Sequence, residues 1–121
     1  MDAEELKHRT EDFALRILKL VAALPKTIEG RAIANQLVRS GTSVAANYRS
    51  ACRARSRPEF IAKLGVVLEE ADETLLWLEL VIAAKILSEK QVKGLLKETN
   101  ELVAIFVTSR KSAASNLKSK I

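Results

Sequence analysis

The sequence predicts an all-α protein, an up-down-up-down antiparallel four-helix bundle. Three observations lead there. Ala, Leu, Lys, Glu and Arg dominate the 121 residues, with only two prolines and four glycines, so the chain is rich in helix formers and poor in strand punctuation. Apolar residues recur in steps of three and four through four segments, the period of a helix with one buried face. The joins between those segments are short, which forces successive long helices to lie side by side and antiparallel. No internal repeat or second domain is visible, and one domain spans 1–121. A chain of this length buries a core without disulfides or metals.

The first helix is expected over about Ala3 to Leu24. Leu6, Thr10, Phe13, Ile17, Leu20 and Leu24 form its stripe, and Pro25 stops it. Thr27 is the expected N-cap of a second helix over Glu29 to Ala54. That stripe reads Ile33, Leu37, Ser40, Val44, Asn47 or Tyr48, and Ala51. Ser40-Gly41-Thr42-Ser43 is weak helix by propensity. The stripe keeps its phase across it, so one helix is expected, with small residues that let a neighbour approach closely.

Ser56-Arg57-Pro58-Glu59 has capping-box spacing and opens a third helix. Its stripe is Ile61, Leu64, Leu68, Ala71, Leu75, Leu78 and Ile82. Ser88-Glu89-Lys90-Gln91 is a second capping box and opens the fourth helix. That helix carries Val92, Leu95, Leu96, Leu102, Val103, Phe106 and Ala113. From about Ser109 to Ile121 the chain turns polar and basic, and a frayed or mobile tail is expected there.

Near its end the third helix is apolar nearly all round, with Leu75, Leu76, Trp77, Leu78, Leu80, Val81 and Ile82. A bundle core needs only a stripe. Leu76, Trp77 and Leu80 are therefore the expected contact with a second copy, because large apolar patches are uncommon on monomers. The alternative is that Trp77 covers its own subunit at a crowded helix end.

Charge is distributed unevenly. Twenty Lys and Arg stand against fifteen Asp and Glu, a formal charge of +5. From Arg31 through Arg57 there are six arginines and no acid, and from Glu59 through Glu79 six acids and one base, Lys63. After Glu101 come Arg110, Lys111, Lys118 and Lys120 with no acid. Arg49, Arg53, Arg55 and Arg57 crowd the end of the second helix, and guanidinium forks bind phosphate bidentately. With Arg39, Arg110 and Lys111 they are the candidate contacts to an RNA or DNA backbone. Tyr48 is the one aromatic close by in sequence, which argues against reading bases by stacking. The competing reading pairs these arginines with acids of the third helix, such as Arg53 with Glu73, within one subunit or across two.

Other chemistry finds little support. Glu69, Glu70 and Glu73 cluster, but the chain has one histidine, His8, and lacks the Glu-x-x-His pair of a di-metal bundle. Cys52 has no histidine neighbour to activate it and excludes an intramolecular disulfide, in keeping with a cytoplasmic setting. Ser40, Thr42 and Ser43 have no nearby base, and no Gly-rich phosphate loop occurs. No enzymatic activity, metal, cofactor or small-molecule substrate is expected. The acidic N-terminus is no secretory signal, and the apolar run Leu75 to Leu87 is too short and too charged to span a membrane.

The run Leu37-Val38-Arg39-Ser40-Gly41-Thr42-Ser43-Val44-Ala45-Ala46-Asn47-Tyr48-Arg49, then Glu59-Phe60-Ile61-Ala62-Lys63-Leu64, then Glu69-Glu70-Ala71-Asp72-Glu73-Thr74-Leu75-Leu76-Trp77-Leu78-Glu79, resembles a known family. It is the bacterial four helix bundle protein family, also called the 23S rRNA-intervening-sequence protein family. The resemblance covers nearly the whole chain. It implies a bundle that assembles as a ring-like homopentamer. It also implies kinship with the accessory variability protein of diversity-generating retroelements, a basic pentamer that binds a reverse transcriptase and nucleic acid. The family has no established enzymatic activity.

The family pattern falls on Arg39, Ser43, Asn47, Phe60, Leu64 and Glu70. Many members have Asn-Ile-Ala-Glu-Gly where this chain has Asn47-Tyr48-Arg49-Ser50-Ala51, so the acid and the glycine are absent and the position is more basic. Ser43, Asn47 and Glu70 are the expected polar core, with Glu70 on the facing helix accepting from Asn47 and fixing register.

Overall fold

The computed structural model describes residues 1–119. Four helices follow one another: α1 (Ala3–Ala22), α2 (Ile28–Cys52), α3 (Arg57–Ala83) and α4 (Glu89–Ser119). They form an antiparallel four-helix bundle in which α2 packs on α1 and α3, and α3 packs on α4. α1 and α4 close the ring with the loosest approach, and the diagonal helices meet only through long side chains in the core, as Tyr48 of α2 meets Phe106 of α4.

Local chemistry sets the helix ends. Asp2, Thr27 and Ser56 accept from the amides of Glu5, Gly30 and Glu59 and cap the first three helices. At α4 the capping box is reciprocal: Gln91 N–H donates to Ser88 Oγ at 3.3 Å and Ser88 N–H to Gln91 Oε1 at 3.0 Å. At α3 it is displaced by one residue, and Glu59 Oε2 accepts from the amide of Arg55 at 3.4 Å.

α3 ends in a Schellman turn. Ile86 N–H donates to the Val81 carbonyl and Lys85 N–H to that of Ile82, both at 3.0 Å. Lys85 holds the left-handed position of that turn, with φ 56.

Phe13 and Ile17 of α1, Leu37 and Val44 of α2, Leu64 and Leu78 of α3, and Leu102 and Phe106 of α4 are fully buried and form the core. α2 is unbroken through Ser40–Ser43, as its stripe predicts. A Cβ on Gly41 would meet the Ile17 side chain at 2.8 Å, so this glycine sets how closely α1 approaches α2. On the same stretch, Thr74 donates to Ser40 Oγ at 2.9 Å inside the α2–α3 seam.

The structure departs from the expected stripes in three places. On α3 the buried row is Leu64, Val67, Ala71, Thr74, Leu78 and Val81. Ile61, Leu68, Leu75 and Ile82 are only half-buried. α3 packs against both α2 and α4, so its covered arc is wider than one stripe and its centre lies between two rows. On α2, Tyr48 takes the core position and Asn47 is half-buried. Tyr48 packs on Phe106 with ring centroids 5.6 Å apart, and burial pushes its phenol pKa up.

Third, helical geometry runs on past Ser109 in α4. It continues to Ser119, and Ala113 is buried. Ala113 lies seven residues, about two turns, beyond Phe106 on the same buried row. Residues 120–121 of the expected tail lie outside the described residues.

Candidate nucleic-acid interface

α2 ends because its last amides turn back on short bonds. Arg53 N–H reaches the Ser50 carbonyl and Ala54 N–H that of Ala51. Ser56 then starts α3, with Pro58 in its first turn. The corner Arg53-Ala54-Arg55-Ser56-Arg57 thus alternates long basic residues with small ones. Ala54 is half-buried and Ser56 is used as the cap, while the three arginines point to solvent. Arg49 lies one helical turn before Arg53 and is also exposed.

None of Arg49, Arg53, Arg55 and Arg57 makes a side-chain ion pair among the described residues. Glu59 lines the same hollow as Arg49, Arg53 and Arg55, and its carboxylate faces the Arg55 amide and lies 3.9 Å from Lys63. Lys63 also donates to Ser50 Oγ at 2.6 Å, which holds its ammonium against the end of α2.

α4 runs antiparallel to α3 and adds its cations to the same end of the bundle. Arg110 Nε donates to the Ile61 carbonyl at 3.4 Å, and its guanidinium lies beside Gly65. Arg110 and Lys111 border a cavity of about 270 Å³ with Ile61, Leu68 and Val107. The first turns of α3 are therefore flanked by basic residues of α2 on one side and of α4 on the other.

Arg39 is a different case. It sits mid-way along α2 and is bound to Glu70 at 3.1 Å and to Glu73 through a charge-assisted hydrogen bond. The Arg39 guanidinium holds the Glu73 carboxyl below its ordinary pKa, and Trp77 Nε1 donates to the same carboxylate at 3.3 Å. Arg39 is committed to this intramolecular network and does not join the arginines at the bundle end.

The pairing of Arg53 with Glu73 does not form within one subunit. The α2–α3 register sets Arg39 against Glu73 and Ser50 against Lys63. Position 60, opposite Arg53 in that register, is thirteen residues or about 20 Å along α3 from Glu73. The expected bond from Asn47 to Glu70 is absent too. Asn47 Nδ2 donates to Ser43 Oγ at 2.7 Å and to its carbonyl at 2.9 Å, within one helix, while Glu70 serves Arg39. The buried polar side chains are instead Thr10, Ser40, Thr74 and Thr99. None of the buried side-chain polar atoms among the described residues lacks a hydrogen-bond partner.

Trp77 is half-buried and packs on its own core. Leu76 and Leu80 stand 48% and 39% exposed on the outer face of α3. Among the described residues, no three His, Cys, Asp or Glu side chains gather as metal ligands would. Cys52 is half-buried and His8 is exposed. No helix among the described residues is long and apolar enough to cross a membrane.

Sequence reasoning missed Lys63 and Phe60 as parts of this end. Lys63 stands alone in an acidic run, and its spacing of four from Glu59 was the available signal. Phe60 is brought beside Tyr48 only by the turn between the helices.

The chain matches the family described as 23S rRNA-intervening sequence protein over residues 4–108. No curated protein matches it at a significant level. Among solved structures it is similar to a protein of unknown function from the S23 ribosomal protein family of Bacteroides thetaiotaomicron VPI-5482. The two are 34% identical with a TM-score of 0.84, over 92% of this chain and 99% of the other. Fold and sequence match agree, and this chain belongs to the 23S rRNA-intervening sequence protein family.

Proposed function

We propose that this chain is a non-enzymatic helical bundle that presents the α2–α3 end to the phosphate backbone of RNA or DNA, as an accessory to a nucleic-acid-processing protein. The observation that carries the reading is the state of the arginines there. Arg49, Arg53, Arg55 and Arg57 are exposed and without ion pairs among the described residues, and Arg110 and Lys111 stand at the same end. A surface that merely leaned positive would place its arginines near acids, as Arg39 is placed. Guanidinium forks held at a rigid corner suit bidentate binding of phosphate, which positions a strand without reading its sequence.

Self-association multiplies that surface. The exposed Leu76 and Leu80 support a contact with a second copy through the outer face of α3. Several copies then offer several basic corners to one strand, which raises avidity while each corner binds as before.

The test is the affinity for labelled RNA and DNA of one sequence at several ionic strengths. Binding is expected to weaken steeply with salt. An Arg49→Ala, Arg53→Ala double variant is expected to flatten the logarithmic slope by about 0.7–0.9 for each phosphate it no longer neutralises. No binding at low salt, or binding indifferent to salt, overturns the proposal. A purely structural role is favoured for one arginine only, Arg39, by its pairing with Glu70 and Glu73.

A further inference from the structure

Two hollows adjoin at the α2–α3 corner. One, of about 390 Å³, is polar: Arg49, Arg53, Arg55 and Lys63 surround it with Ser50 and a single acid, Glu59. The other, of about 410 Å³, is lined by Tyr48, Ala51, Cys52 and Phe60 together with Ala3 of α1, Arg55 and Arg57. Arg55 borders both. Each lies within the roughly 300–1,000 Å³ of small-molecule sites.

The chemistry differs between them. Four cations against one carboxylate make the first a place for an anion, and Glu59 is already turned to Lys63 and the Arg55 amide. The second offers aromatic and aliphatic surface beside guanidinium groups, the combination on which nucleobases stack. Tyr48 is 5% exposed and packed on Phe106, so it closes the floor and leaves Phe60 as the aromatic surface open to a base. Phe60 is half-buried and forms the open wall.

We infer that this corner holds one unpaired nucleotide of a single-stranded nucleic acid, with its phosphate among Arg49, Arg53 and Lys63 and its base against Phe60, above the floor that Tyr48 closes. The inference rests on the nucleic-acid reading above and adds the form of the partner. Base and phosphate of one nucleotide are joined as the two hollows are joined, around Arg55. A paired base is stacked within its duplex and reaches such a hollow only after flipping out, so a duplex is at a disadvantage.

The test compares wild-type protein on three labelled ligands: a single strand, the same strand with its bases replaced by abasic sites, and the corresponding duplex. The abasic strand keeps every phosphate. The base-bearing strand is expected to bind about tenfold more tightly than the abasic one, as the stacking of one base provides. It is also expected to bind more tightly than the duplex. In Phe60→Leu, which retains apolar bulk, the preference over the abasic strand should shrink toward unity while the salt slope stays. Thermal melting checks that this variant folds, and the abasic comparison on wild-type protein needs no variant.

Equal affinity for the two strands with steep salt dependence overturns the base hollow and leaves phosphate binding standing. Tighter binding of the duplex also overturns it. Failure of every ligand to bind at low salt overturns both readings.

Discussion

Lys85 carries a strain that its sequence neighbours do not announce. It is the one non-glycine residue with positive φ among the described residues, and it closes the α3 Schellman turn where glycine is the usual occupant. Lys85→Gly removes the clash between Cβ and backbone at that position. It is expected to stabilise the fold by about 0.5–1 kcal/mol, less whatever the more flexible unfolded chain returns. Equilibrium denaturation reads the shift, and a lowered midpoint would contradict it. Gly41 is the opposite case, a glycine whose missing side chain is occupied by a neighbour. Gly41→Val drives a branched side chain into the buried Ile17, and a loss of about 2 kcal/mol is expected by the same measurement.

At the scale of elements, the loosest seam is held by charge. α1 and α4 approach least closely, and Arg9 bridges them with a bidentate pair to Glu98 at 2.6 and 2.8 Å and a longer bond to Glu101. The pair is mostly covered, with 25% and 15% of the two side chains exposed. The Arg9 guanidinium holds the Glu98 carboxyl below its ordinary pKa. A carboxyl with a lowered folded pKa binds protons more weakly folded than unfolded. Its stabilisation is complete above the ordinary value of 4.5 and is lost as pH falls through the folded value. Glu98→Gln is expected to cost about 1.5 kcal/mol at neutral pH and to lessen the loss of stability in acid. Denaturation midpoints across pH 3 to 7 test this as an order-of-magnitude expectation. Equal pH dependence in both proteins would show that the pair contributes nothing.

At the scale of the whole molecule, the large exposed apolar residues within the helices lie, among the described residues and apart from Ile28 at the start of α2, on the diagonally opposed α1 and α3. Leu15 and Leu18 of α1 are exposed, as are Val66, Leu76 and Leu80 of α3. The proposed self-association uses the α3 face. A Leu76→Lys, Leu80→Lys variant is expected to scatter light as a smaller particle than wild type while keeping its helical signal. An unchanged mass would place the interface elsewhere, and a monomeric wild type would remove it.

Four helices, the caps Thr27, Ser56 and Ser88, the continuity of α2 and the arginine-rich corner were readable from spacing, because helical periodicity and capping are local and each is written within a few residues; Asp2, the cap of α1, was not picked out. Partners across the bundle were not readable in that way. Arg39 and Arg53 look alike in the sequence, yet the α2–α3 register gives one to Glu70 and Glu73 and leaves the other facing water. Likewise Asn47 and Tyr48 compete for one stripe, and only packing against Phe106 brings Tyr48 inside. The chain alone decided which segments are helical and where basic charge gathers. The packed structure decided which charges are neutralised and that Phe60 and Tyr48 line one hollow, because register is set by the summed fit of whole helix faces rather than by any one residue.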